Sequence, residues 1–111
     1  MKKDNLVYLN DILDCIVKVD SYLKNVDYAK FNRNELLQDA IFRNFEVIGE
    51  ATSRLSDEFL EKHPNFPAHK AKGMRNWIIH GYEQVKLPVI FKTAKEDLPK
   101  LQEQIKKIIN S

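Results

Sequence analysis

The stretch Arg75-Asn76-Trp77-Ile78-Ile79-His80-Gly81-Tyr82 gathers the residues of this chain best suited to chemistry. Histidine can donate or accept a proton near neutral pH, with a reference pKa of about 6.5. Arginine offers planar donors to phosphate oxygens, and asparagine can orient either group or a hydroxyl. Arg75, Asn76 and His80 would together suffice for general acid/base and electrostatic catalysis of phosphodiester cleavage. RNA brings its own nucleophile, the 2′-hydroxyl, so such a site needs no activated serine or cysteine. On a helix turning about 100° per residue, Ile79 lies about 40° from Arg75, Asn76 about 100° and His80 about 140°. The three polar residues thus share one broad face, and Tyr82 returns to the side of Arg75 nearly two turns on. Trp77, Ile78 and Gly81 fall on the opposite side. A solvated face of an amphipathic helix would show the same periodicity, which leaves both readings open.

Metal chemistry fits the residues less well. His63, His69 and His80 are not at helical two-ligand spacing, and no HExxH or clustered acid pattern accompanies them. The expectation is a site with no metal and no cofactor. Charge adds a second signal. The net charge of +2 is too small to imply nucleic-acid binding by itself, but its distribution is uneven. Between Lys62 and Lys86 stand Lys70, Lys72, Arg75 and all three histidines against a single acid, Glu83. Such a local positive field suits a phosphate-bearing partner, with Lys70 and Lys72 as contacts to an RNA backbone. It suits a solvated lysine-rich face equally well.

The elements that must position this motif are helical. The chain has 111 residues, 43% hydrophobic and 31% charged, with three Gly and four Pro, the profile of one mostly helical domain spanning 1–111. The single cysteine, Cys15, sits in an apolar-periodic segment and reads as a buried inert thiol. Acids interrupt the N-terminal region and no apolar run reaches spanning length, so a cytoplasmic protein without membrane association is expected. Leu6, Leu9, Ile12, Leu13, Ile16, Val19 and Leu23 mark a first helix over about 4–24. The segment NVDYAKFNRN reads as a turn, and Asn32 with Glu35 as a capping box for the next helix.

That second helix is expected over about 34–62, with Leu36, Leu37, Ala40, Ile41, Phe45 and Ile48 among its apolar positions, and with a bend or restart at Ser56. Gly49 and Ala51 would let another backbone approach closely. After the break at HPNFP, Pro67 opens a third helix that carries the motif and ends near Gly81 or Tyr82. A fourth runs from about Pro88 to Ile109, kinked or divided by Pro99. Trp77, Ile78 and Phe91 read as core, and the sum is an all-α bundle of four or five helices.

The order AIFRNFEVIGEA (40–51), HPNFP (63–67) and KGMRNWIIHGY (72–82) resembles the HepT-like toxins of the HEPN superfamily. Their hallmark is an Arg, a polar residue, three variable residues and a His, with a Tyr two beyond. Arg75, Asn76, His80 and Tyr82 match it position by position. The resemblance covers roughly 36–105, with departures at Ala68, Lys86 and Phe91. It implies an up-and-down bundle that forms a homodimer, with the two motifs lining a shared cleft. It also implies a metal-independent endoribonuclease toxin of a type II or type VII-like toxin-antitoxin pair. The implied antitoxin is an MNT-type nucleotidyltransferase that AMPylates the motif tyrosine, here Tyr82. Arg75 and His80 would then be catalytic and Asn76 supporting. The alternative is a non-catalytic HEPN module that binds RNA, a nucleotide or a partner through the same motif.

Overall fold

In the computed structural model, which describes residues 2–79 and 86–111, the apolar periodicity becomes helices and no strand is present among the described residues. Helix α1 spans Lys3–Tyr22, α2 Tyr28–Asn32, α3 Glu35–Ser53, α4 Asp57–Lys62 and α5 Ala68–Ile79. The last arm runs without interruption as α6 Leu87–Lys92, a π-helical turn Thr93–Asp97 and α7 Leu98–Ile109. Four long arms with two short segments between them thus meet the expected all-α bundle. Helix α3 is the centre, packed on α1 and on α5, while α7 closes against α1. One core joins Leu9, Ile12 and Ile16 of α1 to Ile41, Phe45 and Ile48 of α3 and to Ile90, Leu101 and Ile105 of the last arm. No helix among the described residues is long and apolar enough to cross a membrane.

Several local expectations change. Leu36 is 82% exposed rather than core. It stands five residues before fully buried Ile41, about 140° away on the helical wheel, whereas Leu37 is about 40° away and packs against the core. Leu6 is also exposed, and Asn5 is buried in its neighbourhood instead. The reason is a reciprocal lock: the Asn5 amide donates to Ser56 Oγ at 3.0 Å, and its Oδ1 accepts from the Ser56 N–H at 3.0 Å. Ser56 Oγ in turn accepts from the Phe59 N–H at 3.1 Å, so the expected restart of the helix at Ser56 occurs and is held by α1. Replacing Asn5 with alanine leaves part-buried polar groups without partners and is expected to cost about 1–3 kcal/mol. A thermal melt should show it as a loss of roughly 4–8 °C per kcal/mol.

The segment expected as a plain turn contains α2, capped by Asp27 Oδ1 accepting from the Lys30 N–H at 2.9 Å. The cap of α3 is Asn34, not Asn32: its Oδ1 accepts from the Leu37 N–H at 3.0 Å, because Asn32 still belongs to α2. Helix α1 gives way to Asn25 in the left-handed region, φ 61°, which asparagine tolerates. Lys95 donates to the Leu23 carbonyl at 2.8 Å, placing a cation at the C-terminal end of α1. Proline 99 lies in the first turn of α7, directly after the π turn. Proline lacks an N–H and crowds the carbonyl four residues before it, here Lys95, and a wider π turn relieves that conflict without breaking the rod. Cys15 is buried, and that burial raises its thiol pKa, with Lys18 opposing and Asp11 and Asp14 adding to the rise.

Candidate active site

Helix α5 is positioned from below by prolines and from the side by a glycine. The Pro67 carbonyl accepts from the Ala71 N–H at 3.1 Å, so Pro67 precedes the helix as its cap rather than forming its first turn. Phe66 is buried beneath this start and meets Phe59 edge-on at 5.6 Å. Met74 is the buried residue of α5, while Trp77 and Ile78 are only half-buried against the core. Close docking on α3 depends on Gly49. A Cβ at that position would stand 2.3 Å from Arg75 Cβ and 2.9 Å from the Ala71 carbonyl oxygen. The stem of Arg75 therefore crosses α3 over a residue without a side chain, and its guanidinium reaches the next residue, Glu50.

There the polar groups form a chain of contacts. Arg75 Nη1 donates to Glu50 Oε2 at 2.6 Å, and Arg75 Nη2 and Nε donate to Asn76 Oδ1 at 3.0 and 3.3 Å. The other carboxylate oxygen, Glu50 Oε1, accepts from Arg54 Nη2 at 3.0 Å and Nε at 3.3 Å. One carboxylate thus holds two guanidiniums, one from its own helix and one from α5. The hydrogen bonds that Arg54 donates to Glu50 raise its pKa, with Tyr8 of α1 acting in the same direction. The side chain of Arg75 is 25% exposed and that of Glu50 49%. Exposed ion pairs of this kind contribute only about 0.2–1 kcal/mol, so the network orients more than it stabilises. An arginine fixed on two edges is pre-organised to present its remaining N–H groups to an anion.

Of the residues expected at the site, Arg75 and Asn76 are in direct contact. His80 and Tyr82 lie outside the described residues. Lys72 is half-buried and shares the stripe of Arg75, Asn76 and Ile79, at helical spacings of three, four and seven. Lys70 is on the other side of α5, paired with Asp97 of the π turn. That pair borders a cavity of about 300 Å³ floored by Phe45, Ile48, Met74 and Leu98. The two lysines therefore face different surroundings. His63 packs against Phe59 with ring centroids 4.6 Å apart, and His69 is exposed. Among the described residues no group of three His, Cys, Asp or Glu side chains could hold a metal ion. Glu50 and Arg54 were not anticipated as site residues. Their Glu-to-Arg spacing of four is a legible helical pair, but its link to Arg75 spans 25 residues and belongs to the packing.

Fold and site together define a protein that is helical throughout its described long arms, with an arginine held by a carboxylate and an amide where two bundle helices meet. The chain belongs to the HepT-like family: the family profile described as ribonuclease HepT-like matches residues 12–108. A protein of Methanocaldococcus jannaschii named "Putative RNase" is 36% identical over 104 residues, covering 94% of this chain and 95% of the relative. The "Probable ribonuclease HepT" of Thermococcus cleftensis is 32% identical over 108 residues, 97% of this chain and 98% of the relative. A "Putative RNase" of Caldanaerobacter subterraneus subsp. tengcongensis is 34% identical over 102 residues, 92% and 91% of the two chains. No solved structure gives a significant match.

Proposed function

We propose that this protein is a metal-independent endoribonuclease, the toxin of a toxin-antitoxin pair of type II or type VII-like organisation, acting as a homodimer with one motif from each protomer at a shared cleft. The observation that carries the reading is the pre-organised Arg75, held by Glu50 Oε2 at 2.6 Å and by Asn76 beside it. His80 takes the proton of a ribose 2′-hydroxyl, whose oxygen attacks the adjacent phosphorus. The bond to the 5′-oxygen breaks, the leaving oxygen takes up the proton that His80 accepted, and the products are a 2′,3′-cyclic phosphate and a 5′-hydroxyl. Arg75 balances the charge that develops on the phosphoryl oxygens, and Asn76 holds its orientation. Lys72, on the same stripe, supplies a contact to the RNA backbone, whereas Lys70, turned to Asp97 on the other side of α5, is set aside from that role. The family membership and the names of the relatives support RNA as substrate.

The test is direct. Purified protein incubated with RNA in excess EDTA is expected to leave fragments ending in 2′,3′-cyclic phosphate, and a requirement for an added divalent ion would overturn the metal-independent reading.

Control of the toxin falls to an MNT-type nucleotidyltransferase that transfers AMP from ATP to the Tyr82 hydroxyl, releasing pyrophosphate. The added phosphate brings negative charge and bulk next to a site built to receive RNA phosphate, and so competes with it. Co-expression with such an enzyme is expected to add one or more AMP masses to the peptide containing Tyr82. Masses found only on Tyr8, Tyr22 or Tyr28 would refute the assignment.

A further inference from the structure

We infer that Arg54 forms a second phosphate-binding position beside Arg75, taking the RNA backbone phosphate next to the one being cleaved. The inference rests on the ribonuclease reading above. Two guanidiniums from different helices converge on the two oxygens of one carboxylate, Glu50. With one negative and two positive charges, the cluster keeps a surplus positive charge after its internal pairing. Arg54 is also the more open of the two, its side chain 58% exposed against 25% for Arg75. A guanidinium carries five N–H donors in a fixed fork. Glu50 occupies Nε and Nη2 of Arg54. The remaining N–H groups, on Nη1 and Nη2, are then available to a phosphate.

The geometry also assigns distinct roles to the three groups. Arg75 is partly covered, its stem pressed over Gly49 and its fork shared between Glu50 and Asn76. Such a group is set for one reacting phosphate. Arg54 caps the C-terminal end of α3 four residues after Glu50, so it extends the positive edge to the far oxygen of that carboxylate, opposite the one held by Arg75. A single-stranded backbone repeats its phosphates along the chain, and a strand seated on Arg75 passes a neighbouring phosphate over this edge. Glu50 is the spacer that fixes the separation of the two cations. Arg43, on the same helix but paired with Glu46 and 74% exposed, lies outside this cluster and provides a charge-matched control.

The experiment measures binding rather than cleavage. A fluorescein-labelled single-stranded RNA with 2′-O-methyl riboses cannot be cut by 2′-hydroxyl attack, and its anisotropy is followed across salt concentrations from about 50 to 200 mM. Each phosphate contact on a single strand adds about 0.7 to the slope of log affinity against log salt. Arg54→Ala is expected to lower that slope by about 0.7, with several-fold weaker binding at the lowest salt, whereas Arg43→Ala leaves the slope as in the unmodified protein. Circular dichroism confirms that both variants remain helical. An unchanged slope in Arg54→Ala, with a reduced one in Arg75→Ala, would overturn the second position and leave the ribonuclease reading standing. Equal losses in Arg54→Ala and Arg43→Ala would overturn it as well, by showing a general field instead of a contact. No loss in Arg54→Ala or Arg75→Ala would bring down both readings together.

Discussion

Replacing His80 with alanine is expected to lower RNA cleavage in EDTA by about 10²- to 10⁴-fold, the usual scale of a positioned general acid or base. RNA binding should persist, because the cations that would hold the backbone, Arg75 and Arg54, stand on α5 and α3 and are tied to Glu50. The comparison that gives the result meaning is Arg75→Lys. It retains the charge but not the fork, so the two-edged hold by Glu50 and Asn76 cannot be reproduced. If Arg75 balances charge in the transition state, Arg75→Lys loses roughly 10²-fold or more in kcat, with a smaller change in affinity. If Arg75 only anchors the strand, the loss appears in KM. Undiminished cleavage in His80→Ala with an unaltered helical signal would remove His80 from the reaction.

A second large effect is expected at a residue with no chemistry of its own. Gly49→Ala inserts a methyl group 2.3 Å from Arg75 Cβ. Neither that atom nor the Ala71 carbonyl oxygen at 2.9 Å is the end of a flexible side chain, so the two helices must separate. Overpacking of this kind costs about 1–3 kcal/mol, which outweighs the gain of up to ~1 kcal/mol from the better helix propensity of alanine. The same shift moves Arg75 away from Glu50, and cleavage should fall even below the melting transition. Gly73→Ala supplies the opposite case. Among the described residues nothing lies within 4 Å of a Cβ built there, and the residue is exposed inside α5. It should stabilise by about 0.5–1 kcal/mol and leave cleavage unchanged. Calorimetry and a cleavage assay on the pair check both signs. A Gly49→Ala protein as stable and active as the parent would refute the close-docking argument.

Much of the fold was readable from local rules because those rules act over one or two helical turns. The periodicity of α1, the restart at Ser56 and the break at the HPNFP segment depend on neighbours within four residues. Apart from the cap of α3, where Asn34 takes the place expected of Asn32, the structure departs from the local rules where the deciding partner is distant. Asn5 is buried because Ser56, 51 residues later, needs its amide. Leu36 is exposed because it stands about 140° around α3 from buried Ile41, which a count of apolar residues does not reveal. Proline 99 was readable as a disturbance, but only the surrounding rod shows that a π turn absorbs it.

The site divides along the same line. Residue type and spacing in the sequence mark Arg75, Asn76 and His80 as candidates, the family resemblance adds Tyr82, and of these four the structure describes Arg75 and Asn76, which meet because neighbours on one helix share its geometry. They were also enough to mark Gly49 as a point of close approach. Only the tertiary structure decided that Arg75 meets Glu50, that Glu50 also holds Arg54, and that Lys70 turns to Asp97 while Lys72 stays on the side of Arg75. A helical wheel fixes the direction of a side chain but not what stands opposite. That is set by how deeply α5 sinks onto α3, and here the depth depends on the missing side chain of Gly49.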